Sequence, residues 1–306
     1  MSKRIVDVPA SIRARLLALA RGAGTEFQSV LVRYALERLM YRLSISDQGR
    51  RFVLKGALLF EIWSSDRLRA TQDADFLHLG MADPGELKRI FQTICAVVVE
   101  DDGLRFLPET VEAAEIREDQ AYGGTRVTLE ARLGKAVIPL QIDVGLGDAV
   151  VPPPIEVDFP TLLNQPAPHL AAYARETAIA EKFEAMVSLD LPNSRMKDFF
   201  DLWVLCQRFS FRGNILQGAI RATFERRGTA IPGELPTALT IRFSDDPSKQ
   251  VQWKAFTTKG RLAVKPPDLR TAIESIGGFL GPIIRASKEG RQFTAQWKPL
   301  GPWLDS

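Results

Sequence analysis

Residues 69 to 80 of the chain read RATQDADFLHLG, and the two aspartates in this stretch give the first clue to the architecture. The run is otherwise suited to a β-strand, in which successive side chains point to opposite faces of the sheet. Asp73 and Asp75 are therefore expected on one face, whereas the side chains at 74, 76 and 78 point to the other. Two carboxylates on one face of a strand must have a partner or a function.

The composition is that of an ordinary soluble globular protein. The chain has 306 residues, of which 45% are hydrophobic and 25% charged, so it can form one large domain or two ordinary ones. No stretch approaches about 18 uninterrupted apolar residues, and Arg13 and Arg15 interrupt the apolar positions near the N-terminus, so neither a membrane span nor a signal peptide is predicted. Cys95 and Cys206 lie far apart, which argues against a disulfide framework or a cysteine zinc site. A cytoplasmic location is expected.

Basic residues are concentrated at the start of the chain. The net charge is only +3, but the first 51 residues contain ten lysines and arginines against four acidic residues. A basic face of this kind could attract a polyanion such as RNA. Arginines that solvate amphipathic helices explain the same pattern equally well. The basic residues are Lys3, Arg4, Arg13, Arg15, Arg21, Arg33, Arg38, Arg42, Arg50 and Arg51.

The order of predicted elements in the first half indicates an α+β fold with a small mixed sheet flanked by helices. The strand RFVLKG ends at Gly56, a helix begins there, and the strand with the paired aspartates follows. Asp83, Pro84 and Glu86 form a strong start signal for a later helix. The other predicted elements are helices at 9–21, 25–44 and 84 to about 99, and strands EAAEIRE, RVTLEARL and AVIPLQIDVG between residues 111 and 145.

The second half of the chain is predicted to be mostly helical. Residues 151–168 are rich in proline and indicate a linker between a domain at 1–150 and a helical C-terminal domain at 169–306. In the second domain, RETAIAEKFEAMVSLDL and RMKDFFDLWVLCQRF form helices joined by Pro192-Asn193-Ser194, which predicts a helical hairpin. No motif is visible in the tail after about residue 212.

Gly56 and three aspartates together have the features of a nucleotidyl transfer site. A glycine at a helix N-terminus lets backbone N–H groups approach a phosphate closely. Carboxylates from adjacent strands would form an oxygen-only site suited to Mg²⁺, which can bridge nucleotide phosphates. Each feature alone has a bland explanation, such as a turn or a strand-end carboxylate, but their conjunction and order favour this chemistry. The candidate metal ligands are Asp73, Asp75 and Asp143.

The predicted helical hairpin supplies a second group of charged residues. Antiparallel packing through a short loop can bring Lys182 within a turn or two of Asp198. A lysine beside a triphosphate would neutralise part of its charge, and Asp198 could hold or orient that lysine. A purely structural ion pair between the two helices explains these residues at least as well.

Other catalytic classes fit the sequence poorly. His78 and His169 are the only histidines, and there is no Gly-x-Ser-x-Gly motif, which disfavours a Ser-His-Asp hydrolase. There is also no G-x-x-x-x-G-K-[ST] loop and no G-x-G-x-x-G motif after a strand, which disfavours Walker-type and dinucleotide-binding proteins.

Five motifs, in this order and spacing, resemble the AbiEii/AbiGii toxin family of bacterial nucleotidyltransferases, which includes the MenT-type toxins. The resemblance extends from about residue 25 to 210, and its most specific part is Arg195-Met196-Lys197-Asp198 followed by Asp201. It implies a polymerase-β-like nucleotidyltransferase fold with a helical C-terminal region, and a toxin of a toxin–antitoxin or phage-defence module with a cognate antitoxin. Some members transfer nucleotides from an NTP to the 3′ end of tRNA. The motifs are FVLKGALLFEIW, RATQDADF, LQIDVG, AEKFEAM and SRMKDFFDLW.

The resemblance also implies roles for individual residues. Asp73 and Asp75 match the metal-binding pair, Lys182 the essential lysine and Asp198 the essential late aspartate, which makes these four the predicted catalytic residues. Asp143 lies where polymerase-β-like enzymes have a third carboxylate. The predicted nucleotide-binding residues are Lys55, Gly56, Ala57 and Arg195.

One departure from the family pattern keeps other functions open. Gly56 is followed by Ala57 and Leu58 where the family often has Gly-Gly-Thr or Gly-Ser, so a hydroxyl contact to phosphate is missing. Backbone N–H groups could still bind the anion. One alternative is a catalytically silent scaffold that binds nucleotide, RNA or a partner protein. Another keeps nucleotidyl transfer but directs it to a protein hydroxyl or a small molecule.

Overall fold

The chain forms two compact units in the computed structural model, which describes residues 7–64, 69, 71–116, 123–260 and 262–305. The first unit comprises Met1–Gly147 and Ile155–Ala172, and the second comprises Asp148–Pro154 and Tyr173–Ser306. Two basic residues of the predicted N-terminal face, Lys3 and Arg4, lie outside the described residues. The end of the predicted strand EAAEIRE, at Arg117 and Glu118, also lies outside them.

Among its described residues the first unit has four α-helices, and side-chain caps mark the start of two of them. The Asp7 side chain accepts a hydrogen bond from the Ala10 N–H at 2.9 Å and caps the first helix. Asp83 caps the fourth helix in the same way, through the Glu86 N–H at 2.7 Å. The helices are α1 (Val8–Gly22), α2 (Phe27–Ile45), α3 (Leu59–Trp63) and α4 (Pro84–Cys95).

Two helices differ from the sequence prediction. The helix predicted from 84 to about 99 ends at Cys95, because three consecutive β-branched valines follow at 97–99 and disfavour helical geometry. The helix predicted to begin at Gly56 is a 3₁₀ turn over Gly56–Leu58 followed by the short α3.

The predicted mixed sheet is confirmed, and in the part of the chain that the structure describes it has seven strands in the order β3-β4-β5-β2-β1-β7-β6. The strand with the paired aspartates, β2, lies at its centre, antiparallel to β1 and parallel to β5. On the opposite face from the aspartates, Phe52, Phe76 and Phe91 of α4 pack edge to face in the core. The strands are β1 (Phe52–Lys55), β2 (Asp73–His78), β3 (Leu104–Ile116), β4 (Gly124–Leu133), β5 (Ala136–Leu146), β6 (Ile155–Asp158) and β7 (His169–Ala172).

The proline-rich stretch at 151–168, which was predicted as a linker, contains a β-strand. This strand is β6, which pairs antiparallel with β7 at the edge of the sheet. The prolines at 152–154 and 160 flank this strand and leave its backbone N–H groups available, so an edge position is tolerated. The division into domains at 150 and 169 stays a prediction.

Much of the predicted basic face at the N-terminus is buried. Arg33 donates to both carboxylate oxygens of Glu61 at 2.9 and 2.8 Å, and Arg42 donates to Asp102 at 2.6 Å. Three arginines of α2, namely Arg33, Arg38 and Arg42, are at most 5% exposed, and they form ion pairs in the interior of the unit. The exposed basic residues of this region are Arg13, Arg15, Arg21, Arg50 and Arg51.

The second unit contains the helical C-terminal region, which confirms the α+β fold class with a helical addition. A small antiparallel sheet, β8 (Phe211–Arg212), β9 (Gln296–Trp297) and β10 (Trp303–Leu304), accompanies the helices. No helix within the described ranges is long and apolar enough to cross a membrane. The helices are α5 (Arg175–Leu189), α6 (Met196–Arg208), α7 (Gly213–Arg227), α8 (Ile241–Ser244), α9 (Pro247–Lys259) and α10 (Leu269–Lys288).

Candidate active site

A row of four charged residues crosses the centre of the first sheet on one face. Asp75 on β2 is in register with Asp143 on β5 and with Lys55 on β1. Asp143 is in turn in register with Arg126 on β4. Residues in register on neighbouring strands share a face, so two adjacent carboxylates have a cationic residue on either side. Like charges that face each other destabilise a sheet, and the flanking cations offset this repulsion.

Asp73 lies on the same face in the next row, in register with Gln141. Its carboxylate accepts a hydrogen bond from the Thr71 hydroxyl. Ala74 and Phe76, on the other face of β2, are buried in the core. The alternation of side chains that the sequence indicated is therefore present, and it places both aspartates of β2 on the face of the sheet that carries Asp143.

Arg126 holds Asp143 in a two-pronged ion pair. Its Nε donates to one carboxylate oxygen at 2.9 Å and its Nη2 donates to the other at 2.8 Å. Sequence reasoning did not identify Arg126, although a signal was present. The turn at Gly134 and Lys135 sets Leu133 opposite Ala136, and counting back residue by residue along β4 places Arg126 opposite Asp143.

Gly56 occupies a position that only glycine suits. Its φ is +73°, which lies in the left-handed region that L-residues with side chains rarely adopt. A Cβ at this position would lie 1.9 Å from Oδ2 of Asp75. The carboxylate of Asp75 thus packs directly against the turn, while Ala57 and Leu58 are buried. Because α3 has five residues, its dipole is weak, and anion binding at this turn would depend on backbone N–H groups and Lys55.

The carboxylates of the first unit suit Mg²⁺ that is bound together with a substrate. Within the described part of the chain, no group of three or more histidine, cysteine, aspartate or glutamate side chains is placed to hold a metal ion. Mg²⁺ is usually held by one or two carboxylates, with water and substrate phosphates completing the octahedron. Asp73 and Asp75, side by side on β2, provide such a pair, and Asp143 is occupied by Arg126.

Lys182 and Asp198 are in direct contact in the second unit. Nζ of Lys182 lies 2.8 Å from Oδ1 of Asp198 and 2.8 Å from Oδ2 of Asp201. Nε of Arg195 lies 2.7 Å from the other oxygen of Asp198. Sequence analysis predicted the first contact but gave Asp201 no role. The spacing of three residues on α6, which places Asp198 and Asp201 on one helix face, was the available signal.

Both carboxylates of this cluster are almost completely buried, at 1% and 0% exposure for Asp198 and Asp201. Burial by itself raises the pKa of Asp198, but the neighbouring charges of Lys182 and Arg195 outweigh it and lower that pKa below its ordinary value. Asp198 is therefore ionised at neutral pH, and the cluster depends on its cations.

A further ion cluster, which the sequence did not reveal, lies in the second unit. Arg227 at the end of α7 lies 2.8 Å from Glu184, 3.1 Å from Asp148 and 3.5 Å from Glu181. These acidic neighbours raise the pKa of Arg227 although burial alone lowers it. The partners are distant in sequence, so no local pattern identifies them.

The fold is that of a nucleotidyltransferase. The chain is similar to the crystal structure of a proposed nucleotidyltransferase from H. pylori, with 15% identity, a TM-score of 0.50, and coverage of 87% of this chain and 98% of that one. JHP933 from Helicobacter pylori gives the same identity and TM-score, with 87% and 95% coverage. MenT4, a nucleotidyltransferase toxin from Mycobacterium tuberculosis H37Rv, is 17% identical with a TM-score of 0.49 and 88% and 89% coverage. No curated protein sequence matches.

The family is identified by sequence. A model described as nucleotidyl transferase AbiEii toxin, type IV toxin–antitoxin system, matches residues 38–275. The chain therefore belongs to the AbiEii family of nucleotidyltransferase toxins, and the resemblance seen in its motifs is confirmed.

Proposed function

We propose that this protein is a Mg²⁺-dependent nucleotidyltransferase that transfers a nucleoside monophosphate from an NTP to an RNA, with the 3′ end of tRNA as the expected acceptor. The acceptor hydroxyl oxygen would form a bond to the α-phosphorus, pyrophosphate would leave, and the hydroxyl proton would pass to solvent. The observation that carries the proposal is the position of Asp73 and Asp75 on one face of β2, with Asp75 packed against the turn at Gly56.

The residues of the first unit would bind the reacting end of the nucleotide. Asp73 and Asp75 would hold the metal ion, which supplies charge neutralisation and stabilises the attacking and leaving oxygens. The backbone N–H groups at Gly56 and Ala57 would bind phosphate, and Lys55 would add a positive charge. Asp143 would join the metal ligands only after separating from Arg126.

The residues of the second unit would act on the triphosphate. Lys182 would bind it as a point charge, Asp198 would orient Lys182, and Arg195, which is about one third exposed, would add a further donor. The competing explanation is a structural ion cluster between α5 and α6. Lys182→Met tests this, with the exposed Lys197→Met as the matched control. Loss of transfer under conditions where the variant is still folded supports the proposed role, whereas normal transfer by the folded variant, with only its stability lowered, supports the structural one.

The direct test is a transfer assay. The purified protein is incubated with Mg²⁺ and each α-³²P-labelled NTP in turn, with bacterial RNA and protein extract as acceptors. Asp73→Asn is expected to abolish labelling, and the exposed Asp47→Asn serves as the control. Label in a tRNA-sized band supports the proposal and identifies the nucleotide. Label in a protein or a small molecule keeps the chemistry but changes the acceptor.

A catalytically silent scaffold is the second candidate function, and two observations favour it. Ala57 replaces a residue that often provides a hydroxyl or a more flexible turn, and Arg126 occupies the third carboxylate. Metal-dependent nucleotide binding without label transfer to any acceptor would establish the scaffold. In either case, membership of a type IV toxin–antitoxin family leads us to propose a cognate antitoxin as partner.

A further inference from the structure

Arg126 uses both oxygens of Asp143 and therefore affects what else Asp143 can bind. The guanidinium donates one charge-assisted hydrogen bond to each oxygen, at 2.9 and 2.8 Å. A cation that approached the same oxygens would meet a full positive charge about one hydrogen-bond length away. The ion pair and a metal bound to Asp143 would therefore compete for the same carboxylate.

We propose that Arg126 is an internal competitor of the divalent cation for Asp143. Arg126 neutralises one of the two adjacent carboxylates of the charged row. If a divalent cation and nucleotide bound to the neighbouring aspartates, Arg126 would have to release Asp143 before Asp143 could serve as a further ligand. This inference rests on the proposed function, since it concerns the same carboxylates, but it is tested without any transfer reaction.

The surroundings of Arg126 allow this release. Its side chain is 43% exposed, whereas that of Asp143 is 19% exposed, so the arginine is the more accessible partner. Partly exposed ion pairs contribute little net stability, because water competes for both partners. Arg126 also lines an open cleft of about 330 Å³ together with Glu112 and Thr128, so part of its side chain borders this cleft.

The position of the competing arginine on the sheet places it opposite Asp143 and not opposite Asp75. Arg126 comes from β4, which borders β5 but does not border β2. Asp75 therefore has Asp143 and Lys55 as its cross-strand neighbours, and Asp143 has Asp75 and Arg126. A change at Arg126 should act mainly through Asp143, which a double-mutant cycle can measure.

The experiment measures binding of Mn²⁺ alone to the full-length protein, from the electron paramagnetic resonance signal of the free ion. Arg126→Gln should bind Mn²⁺ about tenfold more tightly than wild type, which corresponds to about 1.4 kcal/mol. The tightening should disappear in the Asp143→Asn background. Arg132→Gln, an exposed arginine on the same face of β4, is the matched control and should change the affinity little.

Several outcomes would overturn the competition. They are equal or weaker Mn²⁺ binding by Arg126→Gln, the same tightening in Arg132→Gln, and tightening that persists without the carboxylate of Asp143. Thermal melts of each variant verify folding, and Arg126→Lys, which keeps the charge but loses the second hydrogen bond, should fall between wild type and Arg126→Gln. Failure of the proposed function is a separate result, because it appears as absent label transfer by the wild type.

Discussion

Replacement of Gly56 by alanine should affect both the stability and the chemistry of the first unit. Two costs act at this position. An L-residue at a φ of +73° loses about 1–2 kcal/mol to backbone strain. The added methyl group would also lie 1.9 Å from Oδ2 of Asp75, so the carboxylate must move, and such overpacking typically costs about 1–3 kcal/mol more.

The two costs can be separated with a second glycine. Gly24 has a nearly equal φ of +61°, and no described atom beyond its chain neighbours lies within 4 Å of a Cβ built there. Gly24→Ala should therefore lower the free energy of unfolding by the backbone cost alone, about 1–2 kcal/mol. Gly56→Ala should lower it by about 2–5 kcal/mol, measured by urea unfolding monitored by circular dichroism.

The displaced carboxylate should also reduce nucleotidyl transfer and Mn²⁺ binding in Gly56→Ala, under conditions where the variant is fully folded. Gly24→Ala should keep both properties. Equal losses of stability in the two variants, together with normal transfer by Gly56→Ala, would refute the idea that Asp75 depends on the absence of a side chain at Gly56.

Three further results are expected from the buried charges. Lys182→Met leaves two buried carboxylates without their shared cation and should cost about 3–5 kcal/mol of unfolding free energy, whereas Lys197→Met should change it by less than about 0.5 kcal/mol. Arg42→Met should cost a similar 3–5 kcal/mol, because Asp102 loses its partner, and should leave RNA affinity unchanged in a filter-binding assay. Burial lowers the pKa of His78, so the unfolded chain binds a proton at this residue more readily than the folded chain, and the free energy of unfolding should fall as the pH drops through about 6.5 and below. Unfolding curves from about pH 7.5 to 5 should show this loss of stability in wild type and a smaller loss in His78→Phe. Identical pH dependences of the two proteins would contradict this expectation.

The features that the sequence predicted correctly were those set by local rules. Strand alternation placed Asp73 and Asp75 on one face, and the cap at Asp83 located the start of α4. The lysine and aspartate of the helical hairpin met because a short loop forces α5 and α6 into contact. Each of these depends on residues close together in the chain, which a single sequence displays directly.

Apart from Asp201, whose signal was local, the features that were missed depend on partners that are distant in sequence. The basic face predicted from the sequence included the arginines of α2, because a count of charges treats each arginine as exposed. In the structure these arginines are buried, and Arg42 pairs with Asp102, which lies 60 residues later in the chain. β6 was not predicted, because the prolines around it indicated a linker. Its pairing partner, β7, lies beyond a further proline-containing stretch, so no local hairpin pattern connects the two strands. Arg126 could have been found, but only by taking the register of β4 and β5 from their turn.

The order of strands also has a consequence for how the chain folds. β4 and β5 are joined by a tight turn and can pair early, whereas β2 reaches β5 only by closing a long loop that contains both β3 and β4. When β5 pairs with β2 during folding, Asp143 would therefore already form a neutral ion pair with Arg126 as it comes next to Asp75. The arginine that we propose as a competitor of the metal in the folded protein would in this way reduce the repulsion between Asp75 and Asp143 while the centre of the sheet forms.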